Sequence, residues 1–219
     1  MSTRAMIVVG GGSSSRFGGD KLLVEVEGQP LISHTVSALR ALVDKCVLVT
    51  RPDIIESVTG LGLDIEVVPG GTSRTLSEMA GLAVLGGDFD LIGVHDAARP
   101  LIDPELIDQL FLAAAKTGGA VPVLEPEDLL VDRRRLQPVE HPGAVQTPQV
   151  FRGPELLAAY VRSAQAGFDG QDTVEIVHRY GNLEIAAVPG DPLNVKVTFP
   201  EDLEFVKRVL GDSSHSEPH

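Results

Sequence analysis

The sequence is poor in cysteine, in positive charge and in long apolar runs, and each shortage argues against a class of protein. The single Cys46 cannot form an intrachain disulfide, which fits a reducing compartment. Eighteen Lys and Arg residues against 31 Asp and Glu residues give a net charge of −13, which argues against nonspecific nucleic-acid binding. No apolar run approaches the roughly 18–20 residues of a membrane span, and the first residues lack a signal-peptide pattern. We therefore expect a cytoplasmic protein without a nucleic-acid or membrane partner.

What is present indicates one α/β domain over residues 1–210, followed by a disordered polar tail over 211–219. Short apolar, β-branched segments alternate with segments of helical periodicity, which predicts a doubly wound, mostly parallel sheet with right-handed crossovers. The predicted strands cover residues 5–9, 46–50, 65–68, 91–95, 120–123, 183–188 and 194–198. The predicted helices cover residues 31–43, 73–85, 104–116, 154–166, 172–179 and 201–210.

The alternation breaks at about residues 125–146, which carry three prolines and no helical periodicity. Two apolar stretches flank the polar residues 132–135, so we interpret this segment as an irregular β-hairpin arm. An arm with apolar positions and no core of its own usually packs on something, and a second copy of the chain is the natural partner. The alternative interpretation is a loose surface loop.

A glycine-rich loop follows the first predicted strand and carries Gly10, Gly11 and Gly12, then the cations Arg16 and Lys21. Glycine lets the backbone approach a ligand closely, and successive backbone N–H groups form an anion-binding concavity. The loop therefore predicts a polyphosphate site, although an ordinary turn with two solvated cations is the alternative. Its spacing matches neither a P-loop nor the dinucleotide-binding fingerprint.

Other polar segments also fall at the predicted carboxyl ends of strands, where ligands bind in open parallel sheets. Asp96 follows a buried strand among small residues and is our candidate Mg²⁺ ligand, because Mg²⁺ uses few carboxylates besides substrate phosphates. The alternative is that Asp96 caps a turn or pairs with Arg99. We expect a structural role for His95, since zinc-ligand spacing is absent, and Lys196 is either a phosphate-binding or a solvated lysine.

The combined motifs closely resemble the 2-C-methyl-D-erythritol 4-phosphate cytidylyltransferase family, from about residue 5 to residue 210. The resemblance rests on the glycine-rich loop with Arg16 and Lys21, Gly70-Gly71-x-x-Arg74-x-x-Ser77, Val94-His95-Asp96-Ala97-Ala98-Arg99-Pro100, Gln146-Thr147-Pro148-Gln149 and Asn194-Val195-Lys196-Val197-Thr198. It implies a Rossmann-like nucleotidyltransferase domain whose arm clasps a twofold partner. It also implies transfer of CMP from CTP to the polyol phosphate, with Mg²⁺ and release of pyrophosphate.

Site roles follow from the resemblance position by position. Catalytic roles are implied for Arg16, Lys21 and Lys196, which would stabilise the phosphates. Nucleotide contacts are implied for Gly10, Gly11, Gly12, Gly71, Arg74, Ser77 and Ala97. Polyol-phosphate contacts are implied for Asp96, Arg99, Thr147 and His141, the last from the arm, and Asp96 is also the implied metal ligand.

Three departures from the family pattern keep alternatives open. The loop reads Val9-Gly10-Gly11-Gly12 instead of a Pro-Ala-Ala-Gly run, and Asp20-Lys21-Leu22 replaces a Pro-Lys-Gln context, as in molybdenum-cofactor guanylyltransferases. The arm arginine of the family aligns with His141. A cytidylyltransferase for another polyol phosphate such as ribitol 5-phosphate, a guanylyltransferase, and a nucleotide-binding homologue without turnover are the alternative functions.

Overall fold

The structure is a computed structural model that describes residues 2–12, 17–132 and 134–214. Its strands are β1 Arg4–Gly10, β2 Glu25–Val26, β3 Gln29–Pro30, β4 Lys45–Thr50, β5 Glu66–Pro69, β6 Leu91–Asp96, β7 Gly118–Leu124, β8 Ala144–Val145, β9 Gln149–Arg152 and β10 Glu184–Pro189. Its α-helices are α1 Leu31–Arg40, α2 Ile55–Thr59, α3 Arg74–Leu85, α4 Pro104–Thr117, α5 Gly153–Gln165, α6 Thr173–Tyr180 and α7 Pro200–Ser214. Within these described ranges, no helix combines the length and apolar character needed to cross a membrane.

The main sheet has the strand order β10-β7-β9-β6-β1-β4-β5, and the short strand β8 pairs with the end of β7. The pairs β6–β1, β1–β4, β4–β5 and β7–β10 are parallel. Strand β9 is antiparallel to both β6 and β7. The prediction of a mostly parallel α/β sheet is therefore confirmed, with β8 and β9 as the antiparallel members.

The sheet is covered on both faces, as a doubly wound sheet requires. Along β1, Met6 and Val8 point into one apolar core, and Ala5 and Ile7 point into the other, following the period of two of a strand. The first core receives side chains of α1 and α4, and the second receives those of α3, α5 and α6. The side chains of Ser73, Asp103 and Asp172 cap the N-termini of α3, α4 and α6.

Two predicted elements are wrong in the structure. Besides the short elements β2, β3, β8 and α2, one central strand of the main sheet is missing from the prediction. Residues 194–198 do not form a strand, although the Val197 N–H donates to the Ala98 carbonyl at 2.8 Å. Residues 211–214 continue α7 instead of starting the tail, and residues 215–219 lie outside the described residues. The missing element is β9, whose four residues between Pro148 and Gly153 are too few to give a clear periodicity.

The chain between β7 and β8 leaves the sheet as a small hairpin. Val131 and Pro138 form an isolated antiparallel bridge, and the Val139 N–H donates to the Leu130 carbonyl at 2.9 Å. At the tip, the Asp132 carboxylate accepts the backbone N–H groups of residues 134 and 135. The large apolar side chains of this hairpin are exposed, and they belong to Leu129, Leu130, Val131, Leu136 and Val139. The hairpin thus carries an apolar surface that this chain does not cover.

Candidate active site

A pocket of about 470 Å³ opens at the carboxyl edge of the sheet, where β1, β5 and β6 end. Ten of the residues predicted from the sequence line it, and they come from four separate segments of the chain. They are Gly10, Gly11, Gly12, Lys21, Gly71, Arg74, Ser77, Asp96, Ala97 and Lys196. The remaining lining residues are Val9, Leu22, Thr72, Ser73, Ala98 and Gln171.

The glycines of the pocket allow the first strand's loop to lie against the start of α3. A Cβ at Gly11 would come within 2.9 Å of the Ser77 Oγ, and a Cβ at Gly71 within 2.3 Å of the Leu76 Cβ. The Ser77 hydroxyl donates to the Ser73 carbonyl at 2.8 Å, so it is fixed by its own helix. At Gly12 a Cβ would meet nothing within 4 Å. The backbone near the cavity is therefore accessible to a ligand, and the helix N-terminus faces the same space.

The charge centre of the site is the buried carboxylate of Asp96. Its Oδ1 lies 2.7 Å from the Arg74 Nη1, and its Oδ2 lies 2.9 Å from the Lys196 Nζ and 3.4 Å from the Arg99 Nε. Burial raises the pKa of this carboxyl, but the three positive charges outweigh burial and hold the pKa well below its usual range. Asp96 is therefore ionised. It pairs with Arg99, which was the alternative interpretation from the sequence, and it also pairs with two further cations.

Lys196 lies on an irregular segment. Hydrogen bonds from side chains hold this segment in place, and not the backbone hydrogen bonds of a sheet. The Gln146 amide donates to the backbone carbonyls of Asp191 and Asn194, at 2.8 and 3.2 Å. Arg99 Nη1 donates to the same Asn194 carbonyl at 2.6 Å. Since Arg99 also contacts Asp96, one guanidinium links the carboxylate to the segment that carries Lys196.

Lys21 reaches the same segment from the glycine-rich loop. Its Nζ donates to the Val197 carbonyl at 2.7 Å, next to Lys196 in the chain. The loop around it is fixed by Arg51, at the end of β4, which donates to the Gly12 carbonyl at 3.2 Å and pairs with Asp20 at 2.8 Å. Arg51 thus holds the chain on both sides of the loop, a role that its sequence context does not reveal.

Behind the pocket, a chain of hydrogen bonds, the relay at His95, determines which ring nitrogen of His95 carries the proton. The Asp96 N–H donates to the Thr147 hydroxyl at 3.0 Å, so the hydroxyl proton is directed to the His95 Nδ1 at 3.2 Å. The Nε2 then carries the ring proton and donates to the Arg99 carbonyl at 3.1 Å. Burial lowers the pKa of His95 to about 4. The expectation of a structural His95 is confirmed.

Three predicted site residues do not line the pocket, and a fourth, Arg16, lies outside the described residues. Thr147 and Arg99 lie behind Asp96 and support it, with Thr147 buried. His141 is exposed on the arm, with a backbone φ of 50°. Sequence reasoning missed Gln171, whose only signal was its position just before the cap of α6.

The pocket concentrates positive charge on an acidic protein. Lys21, Arg74 and Lys196 line it together with one carboxylate, Asp96, although the whole chain carries a net charge of −13. In the described part of the chain there is no group of three or more His, Cys, Asp or Glu residues suited to a metal ion. Such a local excess of cations beside accessible backbone N–H groups is suited to a polyphosphate.

Comparisons with known proteins agree with this geometry. The model of one protein family, described as 2-C-methyl-D-erythritol 4-phosphate cytidylyltransferase, matches residues 4–212. Proteins of that name from Acidobacterium capsulatum and Cereibacter sphaeroides are both 36% identical, covering 89% and 95% of this chain and 88% and 97% of theirs. A crystal structure of 4-diphosphocytidyl-2C-methyl-D-erythritol synthase from Anaerococcus prevotii superposes with a TM-score of 0.85 at 24% identity, covering 96% of this chain and 99% of that one. The cytidylyltransferase structure from Thermus thermophilus gives 0.77 at 26% identity, with coverages of 96% and 100%.

The relay at His95 makes a prediction about stability and pH. The native pKa is about 4 and the usual value is 6.5, so between these values the unfolded chain binds a proton that the native chain does not. His95 therefore lowers the free energy of unfolding as pH falls from 6.5 to 4, by about 3 kcal/mol in full. His95→Gln should remove this part of the pH slope in urea unfolding followed by circular dichroism. His178→Gln, at an exposed position on α6, is the control and should keep the slope. Equal slopes in the wild type and His95→Gln would contradict the prediction.

Proposed function

This chain belongs to the 2-C-methyl-D-erythritol 4-phosphate cytidylyltransferase family, and we propose that it transfers the cytidylyl group of CTP to that polyol phosphate. The observation that carries the proposal is the pairing of Arg74 and Lys196 with Asp96, in one pocket with Lys21 and a glycine-lined loop. Cys46 does not compete as a nucleophile, because burial raises the pKa of its thiol to about 12.

The reaction needs charge stabilisation and alignment more than covalent catalysis. A phosphate oxygen of the polyol phosphate attacks the α-phosphorus of CTP, and the bond from that phosphorus to the β-phosphate oxygen breaks. The electron pair leaves with pyrophosphate. Negative charge grows on the phosphate oxygens, where Lys21 and Lys196 would stabilise it. Lys196 belongs to the Val195–Val197 segment, and the Lys21 amino group donates to the Val197 carbonyl, which supports a joint role at the α-phosphate.

The two sides of the pocket suggest how the substrates divide it. The glycine-rich loop and the start of α3 would hold the nucleotide through Gly10, Gly11, Gly12, Gly71, Ser77 and Ala97. The polyol phosphate would take the side of Asp96, with Arg99 and Thr147 behind the carboxylate. Arg74 would orient Asp96 between the two substrates, and Arg16 would add a further cation from the loop.

Mg²⁺ fits this site if most of its ligands come from the nucleotide. Asp96 is the one carboxylate among the described lining residues, and both of its oxygens already lie against cations. Mg²⁺ uses one or two carboxylates with phosphate oxygens and keeps several waters. The ion would therefore be held mainly by the triphosphate, with Asp96 as the available protein ligand, and it would neutralise phosphate charge during transfer.

The exposed arm supports a homodimer. Leu129 and Leu136 are 74% and 75% exposed on a hairpin that has no core of its own, so a second copy would bury them. His141, on the same arm, would then reach the partner's polyol-phosphate side. We place the enzyme in the cytoplasm, in agreement with the single buried cysteine, and treat residues 1–210, together with the end of α7, as one nucleotidyltransferase domain.

The first test measures pyrophosphate release by the full chain with Mg²⁺. CTP and GTP are each combined with 2-C-methyl-D-erythritol 4-phosphate and, separately, with ribitol 5-phosphate. We expect release only with CTP and methylerythritol phosphate. Release with ribitol 5-phosphate instead would identify a different polyol, release with GTP would identify a guanylyltransferase, and CTP binding without any release would identify a homologue without turnover.

The second test removes the two lysines one at a time. Lys21→Ala and Lys196→Ala should each lower kcat by about 30- to 1000-fold, because each removes a charge-assisted contact worth roughly 2–4 kcal/mol in the transition state. Lys207→Ala on α7, which deletes a half-exposed lysine paired with Glu204, is the matched control and should keep full turnover. Near-normal turnover in a folded lysine variant would remove that residue from the catalytic set.

The third test addresses the arm. The double variant Leu129→Asp/Leu136→Asp should sediment as a monomer at about micromolar concentration where the wild type sediments as a dimer, since charge on both faces of an apolar contact prevents its burial. Leu112→Asp places the same charge at an exposed leucine of α4 and should leave the dimer intact. A dimeric double variant, or a monomeric wild type, would show that the arm does not join two copies.

A further inference from the structure

One ionisable group beside the site does not touch the pocket. Glu78 lies on α3, one helical turn after Arg74, and its side chain is fully buried. Its Oε1 lies 2.7 Å from the Arg74 Nε and accepts the Thr173 hydroxyl at 3.0 Å, and its Oε2 accepts the Tyr160 hydroxyl. The carboxylate therefore joins α3 to α5 and α6, and each of its oxygens has a partner.

This arrangement is not explained by stability alone. A buried carboxylate costs several kcal/mol of desolvation, and apolar side chains of similar volume often serve a core equally well. Tyr160 and Thr173 are at most 1% exposed, and the hydroxyl group of each donates a hydrogen bond to Glu78. The cluster of Glu78, Tyr160 and Thr173 therefore does more than fill the core. Arg74 contacts Glu78 of this cluster and also lines the pocket.

Arg74 is held between two carboxylates. Its Nε faces Glu78 and its Nη1 faces Asp96, each at 2.7 Å. Its Nε and Nη2 are buried and make no hydrogen bond within the described ranges of the chain, so the Nε contact with Glu78 is a close ion pair. The planar guanidinium therefore lies between Glu78 on one side and Asp96 on the other, and Glu78 is the partner that is itself fixed by two helices.

We propose that Glu78, held by Tyr160 and Thr173, is a positioning residue that aims Arg74 at Asp96 and thereby sets the spacing between Asp96 and Lys196. The proposal rests on the proposed function, since the geometry it controls is that of the cytidylyl-transfer site. The glycine-rich loop does not depend on Glu78, so binding of CTP should change little when Glu78 is altered. The effect should fall on kcat, because the charges around Asp96 must match the transition state closely.

The main experiment is steady-state pyrophosphate release by the full chain carrying Glu78→Gln, which keeps the size of the side chain and replaces one acceptor oxygen by an amide nitrogen. We expect kcat to fall by about 10- to 100-fold, as for other residues that orient a catalytic group, with the KM for CTP within about threefold. A kcat equal to that of the wild type would overturn the proposal. An inactive wild type would instead overturn the proposed function, so the two failures are distinguishable.

A double-mutant cycle separates positioning from general damage. If Glu78 acts through Arg74, Glu78→Gln should lower kcat by no more than about twofold further in an Arg74→Lys background. Independent, multiplying losses in kcat would show that Glu78 does not act through Arg74 and would overturn the proposal.

Should Glu78→Gln fail to fold, Tyr160→Phe tests the same network with the loss of one hydroxyl. We expect about a 3- to 10-fold lower kcat from the lost hydrogen bond. The matched control is Ser163→Ala, one turn further along α5, which loses a buried hydrogen bond to the Phe168 carbonyl outside the network. Equal kcat losses in Tyr160→Phe and Ser163→Ala would assign the effect to destabilisation and overturn the proposal.

Discussion

The buried, ionised carboxylate of Asp96 is the interaction on which the site depends. Three cations surround it, from the first turn of α3, from the turn after β6 and from the irregular segment that carries Lys196. Without the carboxylate, these cations would repel one another in a partly desolvated space, and the three segments would have no common partner. The negative charge therefore acts as the centre that makes a dense group of positive charges stable before any substrate binds.

The same carboxylate explains how an acidic protein accepts an acidic substrate. Asp96 cancels only part of the positive charge in the pocket, since Lys21, Arg74 and Lys196 all line it. A triphosphate offers these cations many more oxygens than one carboxylate does, so the cations can exchange partners when the nucleotide enters. Selectivity for an anionic ligand is then a property of this cavity, on a chain whose overall net charge is −13.

The sequence predicted the pocket well because the parallel strands end at one edge of the sheet, so loops far apart in the chain meet there. Prediction from the sequence was wrong where tertiary contacts override local secondary-structure preferences. Residues 194–198 alternate like a strand, but Gln146 and Arg99 hold the Asn194 carbonyl and no ladder forms. The partners of Glu78 lie 82 and 95 residues further along the chain, and no local pattern could join them to it.

The glycine-rich loop shows how a departure from a family pattern can be accommodated physically. The family resemblance places proline before the lysine, whereas this chain has Asp20, which offers no fixed φ but adds a charge. Arg51 pairs with that charge and also donates to the Gly12 carbonyl, so an ion pair constrains both sides of the loop. Arg51 directly follows β4 and lies outside every motif of the family resemblance. The altered residue Asp20 is therefore matched by a side chain that is distant in the sequence.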